Sequence, residues 1–314
     1  MRKQSILLVL FSLLIQSGWA QLDYGFDFSK AGTAGFQFLK IDVGARESAL
    51  GGAVVSLVRD ANSVFWNPAG IAYVRQLEFK SSLNNWLVDS QLAALALAYP
   101  FGSTVVSVNL LNFQIAEFEE TTVVSSTGTG KMISAGDTQL GLAVARRFTD
   151  RLSIGLQLKY NHEYLAEYTN NNWMIDVGSI YITGFRDLTL GFAFQHFGPD
   201  MRFAQQQFRT PLLIRLGASD KLIDTDLQSL AVGLDLVHPT DNIEFLNLGF
   251  EYSLAEILFL RYGYRHLRDV GDHAFGIGIR LSAVAIMMTH FDYSYMSYGD
   301  IFGNIHRLTI GISL

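Results

Sequence analysis

Behind residue 75 the chain repeats one device: segments of roughly ten residues in which apolar and small or polar side chains alternate, separated by turn residues. The closing segment reads Arg307-Leu308-Thr309-Ile310-Gly311-Ile312-Ser313-Leu314. Every second residue there is large and apolar, and those between are Arg, Thr, Gly and Ser. Successive side chains of a strand point to opposite faces, so a period of two makes one face greasy and leaves the other polar. In a soluble sheet the greasy face needs a core to meet. Here the pattern recurs about fourteen times with no periodic helices to cover it. A closed barrel whose greasy face meets lipid is the economical solution.

The alternation places strands near 76–83, 91–100, 103–111, 138–148, 151–161, 173–183, 187–197, 210–219, 229–238, 244–253, 257–267, 273–282, 284–296 and 305–314. Leu152, Ile154, Leu156 and Leu158 share one face, opposite Ser153, Gly155, Gln157 and Lys159. Leu246, Leu248, Phe250 and Tyr252 oppose Asn247, Gly249 and Glu251, and Phe275, Ile277, Ile279 and Leu281 oppose Ala274, Gly276, Gly278 and Arg280. In these strands the charges keep to the inner parity. A charge on the lipid face at the bilayer midplane costs about 2–4 kcal/mol, which is the pressure that enforces such segregation. Asp176, Arg215, Asp235, Glu251, Arg261, Arg265, Arg280 and Arg307 are therefore expected to face the lumen. Charges in a narrow lumen pair with each other or with whatever fills it.

Connection lengths agree with a barrel of about fourteen strands, its short turns on the periplasmic side and longer loops outside. The links at 101–102, 149–150, 184–186, 254–256 and 282–283 are tight, whereas 112–137, 162–172, 198–209 and 297–304 are long. The stretch 220–228 is long for a periplasmic turn. Tyr99, Tyr160, Trp173, Tyr181, Tyr252, Tyr262, Tyr264, Tyr293 and Tyr295 fall near strand ends, where amphipathic rings form an interfacial girdle.

An export signal is expected at 1–20. Met1-Arg2-Lys3 supplies the positive start, residues 6–15 an apolar run, and Gly18-Trp19-Ala20 the small residues that a signal peptidase reads. The run is too short to span a bilayer as a helix, which needs about twenty residues. The chain has no cysteine, which excludes disulfides, thiolate metal sites and a lipidated N-terminus. A net charge of -6 argues against a nucleic-acid partner.

Residues 21–75 read differently, as a plug or hatch ahead of a barrel at 76–314. Leu50, Val54, Leu57 and Val58 stand at helical spacing between Ala45 and Arg59, and Asn67-Pro68-Ala69-Gly70 is a turn with Pro preset at its second position. A fourteen-strand barrel is wider than side chains alone can fill, and this segment is of a size to occupy it. Inward glycines suit either a close approach of that segment or relief of crowding along the strands.

Three blocks of the segment carry a resemblance. Gly35-Phe36-Gln37-Phe38-Leu39-Lys40-Ile41, then Gly44-Ala45-Arg46-Glu47-Ser48-Ala49-Leu50-Gly51-Gly52-Ala53, then Asp60-Ala61-Asn62-Ser63-Val64-Phe65-Trp66-Asn67-Pro68-Ala69-Gly70-Ile71-Ala72 resemble the PorV/PorQ family of outer-membrane proteins, relatives of the FadL long-chain fatty-acid transporters. The resemblance implies an all-β, transmembrane antiparallel barrel of about fourteen strands whose N-terminal hatch contains short helices. It marks Asp60, Phe65, Trp66, Asn67, Pro68, Ala69 and Gly70 as the hatch motif. It also implies the outer membrane of a diderm bacterium, with lipids as partners. The leading expectation is an accessory role in protein secretion of the type IX kind, with secretion components or cargo as partners. The alternative is an importer of hydrophobic small molecules.

Catalysis has no local signature. No Gly-x-Ser-x-Gly elbow occurs, and His162-Glu163 lacks the second histidine of a zinc-protease helix, since Ala166 stands there. No cofactor or metal is expected. Phe36, Phe38, Phe65 and Trp66 are available to line a greasy pocket, although packing of the hatch against the wall explains them with fewer assumptions.

Overall fold

The computed structural model describes residues 32–203, 206–267, 271–284 and 287–314. The expected export signal at 1–20 and the first part of the segment at 21–75 lie outside the described residues. The strands are β1 (Glu78–Asn85), β2 (Gln91–Phe101), β3 (Thr104–Glu119), β4 (Met132–Arg147), β5 (Leu152–Leu165), β6 (Tyr168–Ile182) and β7 (Thr189–Phe197). A small hairpin follows, β8 (Met201–Phe203) with β9 (Gln206–Phe208). Then come β10 (Leu213–Asp224), β11 (Gln228–Pro239), β12 (Phe245–Leu254), β13 (Leu258–His266), β14 (His273–Val284), β15 (Met287–Ser297) and β16 (Asn304–Ser313). All except β8 and β9 form one closed antiparallel barrel of fourteen strands. Pairing of β1 with β16, from Glu78 opposite Ser313 to Asn85 opposite His306, closes the ring and leaves no open edge.

Burial alternates along each wall strand as period two requires. Leu156 and Phe192 are exposed on the outside, at 48% and 37%, whereas Gln157 and Asp176 on the inside are at 0%. The polar side of the wall is thus the dry side, because something covers it.

The barrel has a near end, where β1 begins and β16 ends, and a far end. Near-end turns are short, and the suspect stretch at 220–228 resolves simply. Strand β10 runs to Asp224 and β11 starts at Gln228, leaving a turn of three residues, 225–227. At the far end two expected loops are largely strand. β3 and β4 continue, across a bulge between Ile115 and Phe118, to the pair Glu119–Met132. β5 and β6 continue to Leu165–Tyr168, so the expected loop at 162–172 shrinks to a tight turn at 166–167. Beyond the apolar band both faces of a hairpin are wet, so hydropathy loses its period there although the ladder continues.

Residues 32–74 hold short helices rather than one long one. The α-helix spans only Ala45–Ala49, and 3₁₀ turns span Gln37–Lys40, Ala61–Phe65 and Pro68–Tyr73. Gly51 and Gly52 follow at φ 65° and 78°, which ends the helix where the residue spacing had suggested it would continue. Leu50, Val54 and Val58 are nonetheless fully buried, gathered around Trp66. Asp60 caps the 61–65 turn: its carboxylate accepts from the Asn62 amide at 3.0 Å, while the Ser63 hydroxyl accepts from the Asp60 amide at 3.1 Å. Asn67 caps the next turn by accepting from the Ala69 amide at 3.1 Å, with Pro68 at the first helical position.

Candidate functional site

The segment 32–74 packs against the inward face of the wall, and glycine makes the approach possible. Gly155, Gly178, Gly191, Gly217, Gly233, Gly249, Gly263 and Gly276 occupy inward positions on β5, β6, β7, β10, β11, β12, β13 and β14, consecutive strands of the ring. Where seven of them would carry a Cβ stand atoms of Pro68, Asn67, Val55, Ala53, Leu50, Gly51 and Ala49 in turn, whereas at Gly217 the Asp235 carboxylate of the wall is nearest, at 2.3 Å, with the Val55 side chain at 3.1 Å. On Gly249, for instance, a Cβ would lie 2.7 Å from the Leu50 carbonyl oxygen. This belt is a groove for the segment, and its close approach accounts for the glycines other than Gly217, where a neighbouring strand's Asp235 takes the space.

The motif residues sit where chain and wall meet. Asn67 donates from Nδ2 to the Val55 carbonyl at 2.8 Å and to the Ser179 carbonyl of β6 at 3.1 Å. Trp66 donates from Nε1 to the Val43 carbonyl at 2.9 Å. The Phe65 carbonyl accepts from Gln195 of β7 at 3.0 Å, and the Phe65 ring touches three apolar clusters. Pro68 and Ala69 are buried, and Gly70 leaves room for the Val58 carbonyl and the Ser63 side chain. Asp60 reaches Lys80 of β1 at 2.5 Å and Arg46 at 3.5 Å.

The inward charges are nearly all engaged. Arg46 grips Glu251 through two bonds of 2.8 Å. Glu251 also receives Arg261 Nε at 2.6 Å, and Arg261 continues to Asp292 at 2.7 Å. Arg265 pairs with Asp42 and donates to the Gly51 carbonyl at 3.1 Å. Asp235 accepts from the Val54 and Val55 amides at 2.7 and 2.9 Å. Asp176 takes Lys159 at 2.6 Å and the His196 amide at 2.7 Å. Arg215 bonds Gln195 at 2.8 Å and covers the Trp66 ring. Arg307 is buried over the Trp86 ring. Arg280 faces Glu256 at 3.6 Å on the near rim, half-buried.

Sequence reasoning missed Arg46, Glu47, Lys40 and Asp42 on the segment, and Lys80 and Asp292 on the wall. Their signal was present: an inward charge on the wall predicts a counter-charge on whatever covers it. Glu47 is fully buried, and its carboxyl is raised to about 7 by burial and by neighbouring Asp60, against the pull of Lys80 and Arg46. Asp60 is held below the usual carboxylate range: burial alone would raise it, but Lys80 and Arg46 outweigh that.

Toward the far end a cavity of about 340 Å³ opens between segment and wall. Phe38, Ile41, Trp86, Phe113 and Tyr298 form its apolar surface, and Gln37, Lys40, Asp42 and Arg265 its polar part. Trp86 and Tyr298 meet edge to face at 5.4 Å. Phe38 thus lines the cavity, while Phe36 is buried beside it in the apolar cluster. Among the described residues no set of histidines and carboxylates is placed to hold a metal ion.

No protein-family model and no curated relative matches the chain by sequence. Solved structures do match by shape. The CymD monoaromatic hydrocarbon channel superposes with a TM-score of 0.61 at 11% identity, over 87% of this chain and 97% of that one. The Pseudomonas putida toluene transporter TodX gives 0.62 at 11% identity, over 86% and 96%. A Pseudomonas aeruginosa FadL homologue gives 0.57 at 10% identity, over 87% and 98%. These neighbours are transport channels rather than enzymes, and at such identity the likeness is one of fold. The chain has the closed fourteen-strand fold that these FadL-type outer-membrane barrels share.

Proposed function

We propose that the protein is an outer-membrane channel for small hydrophobic molecules, with residues 32–74 as its plug. The observation that carries this reading is the cavity between plug and wall. Its aromatic surface is contributed by both Phe38 of the segment and Trp86, Phe113 and Tyr298 of the barrel. Its volume of about 340 Å³ exceeds the roughly 150 Å³ that suffices for benzene in an engineered apolar cavity. Two further features support it: the greasy outward face, which suits a lipid bilayer, and fold neighbours described as hydrocarbon and toluene channels. The secretion-accessory role rests on the resemblance of the N-terminal blocks and gains nothing from the fold neighbours.

Tryptophan fluorescence tests the reading, because Trp86 lines the cavity. Titrating the folded protein with toluene or naphthalene should give saturable quenching. Phe113→Gln, which puts a polar amide on the cavity's apolar surface and adds no fluorophore, should weaken the apparent affinity at least tenfold without altering heat-modifiable migration. Unsaturable quenching, equal in both proteins, would show that the cavity does not bind apolar molecules.

A further inference from the structure

Of the seven histidines, five project outward from the wall: His162, His238, His266, His273 and His306. All five lie toward the far end. His273 stands opposite Tyr264, His306 opposite Tyr295, His162 opposite Asn171, and His238 and His266 at the last turns of β11 and β13. The other two face inward, His196 buried on β7 and His290 near the other end of β15. The asymmetry extends to the aromatic rings. Near-end outward rings are Phe79, Tyr99, Phe101, Phe148, Tyr181, Phe185 and Tyr252, none of which carries a nitrogen donor.

Four of these imidazoles are held by one nitrogen. Nδ1 of His273 meets the Tyr262 hydroxyl at 2.8 Å, and Nδ1 of His306 meets the Tyr293 hydroxyl at 2.7 Å. Nδ1 of His162 meets Asn171 at 2.7 Å, and Nδ1 of His238 meets Glu244 at 2.8 Å. Nε2 is left over in each of these four bonds. Where Nδ1 accepts the tyrosine proton the ring carries its own proton on Nε2, and in that tautomer His273 and His306 are donors. Such N–H groups pair best with anionic oxygens. The five rings are spread over β5, β11, β13, β14 and β16, at the edge of the apolar band where headgroups lie. In His162 and His238 Nδ1 donates to an oxygen, so their Nε2 offers a further N–H only in the protonated ring.

We propose that this far-end collar docks the phosphate groups of lipid headgroups in the leaflet it faces, which gives the barrel a preferred side. The inference rests on the membrane reading above and not on the cavity. Its test uses full-length protein folded into phosphatidylcholine vesicles, alone or with a phosphorylated lipid A, or with the same glycolipid stripped of its phosphates. The readout is the urea concentration that half-unfolds the heat-modifiable band. The midpoint should rise with the phosphorylated glycolipid only, and inorganic phosphate in the buffer should not reproduce the rise. His162→Phe/His273→Phe/His306→Phe keeps flat rings without nitrogen and should lose at least half of the rise. The corresponding Lys variant, which restores donors, should keep it, and it carries the test by itself should the Phe variant not insert. A rise unchanged in the Phe variant, absent from the Lys variant, or absent from the wild type would overturn the proposal. Failure of the wild type to insert into any of the vesicles would instead sink the membrane reading beneath it.

Discussion

Gly263 of β13 faces Gly51 so closely that the Gly51 amide nitrogen occupies the place a Cβ on Gly263 would take. Neither backbone has a flexible side chain that can yield. Gly263→Ala must therefore push the 50–53 backbone off the wall, and overpacking of this kind costs about 1–3 kcal/mol. Gly311 of β16 supplies the control. A Cβ there meets the Lys80 stem at 3.4 Å and the His290 Cβ at 3.5 Å, ordinary contact, so Gly311→Ala should stay within about 0.5 kcal/mol. Urea unfolding followed by gel migration should separate the two variants, and equal midpoints would refute the close-approach account.

How far this architecture was legible depends on the range of each interaction. The wall was readable because an apolar outer face opposite a polar inner one imposes a period of two on every strand, and that signal is local. It faded at 112–119 and 132–138, where β3 and β4 rise past the apolar band and neither face is constrained. The path of the segment was not readable. Arg46 finds Glu251 at a separation of 205 residues, and Val54 finds Asp235 at 181, and no local pattern encodes such pairings. The spacing of Leu50, Val54 and Val58 imitated a helix because three buried residues around Trp66 satisfy the same intervals without one. The Asn67-Pro68 turn was readable as a turn, but its hold on the Val55 and Ser179 carbonyls was not.

Glu251 joins segment to wall between Arg46 and Arg261. Glu251→Gln removes the charge that balances the buried Arg261 and the half-buried Arg46. Breaking a buried pair from one side costs about 3–5 kcal/mol. Glu256→Gln removes the partner of Arg280, but Glu256 is 82% exposed, and a pair at the water's edge contributes about 0–1 kcal/mol. The same unfolding assay should show a large fall for the first variant and almost none for the second. Similar midpoints would mean that the Arg46–Glu251 contact does not hold the segment in place.

Glu47 sets a pH dependence. Its carboxyl is raised from 4.5 to about 7 in the folded chain by burial and by Asp60. Between those values the folded state keeps a proton that the unfolded state has released, so this residue's contribution is complete at low pH. It is lost as pH rises through about 7, by an amount on the order of 3 kcal/mol. The depressed Asp60 acts in the opposite sense, but only as pH falls below the usual carboxylate range. Wild-type stability should therefore drop more between about pH 5 and about pH 8 than that of Glu47→Gln. Parallel pH profiles for the two proteins would show that Glu47 does not titrate in this window.

Removal of residues 32–74, with residues 1–31 retained, tests whether the segment is a plug. The wall has its own closed ladder, from the β1–β16 pair around the ring, so a barrel should still assemble. Its inward glycines would then face water instead of backbone, and Glu251 and Arg265 would lose Arg46 and Asp42 on the segment but gain solvent. A fourteen-strand ring lies between eight-stranded barrels, which side chains fill, and porins of about sixteen strands, which leave an aqueous channel. It should therefore not close on side chains alone. Single-channel conductance in planar bilayers should rise from near zero to a stable open level, and quenching by apolar molecules should vanish with Phe38 and Ile41 gone from the cavity. A truncated barrel that migrates as folded yet conducts no more than the full chain would show that the segment does not close the lumen. The cavity it shares with Trp86 and Phe113 would then have to be read without a gate.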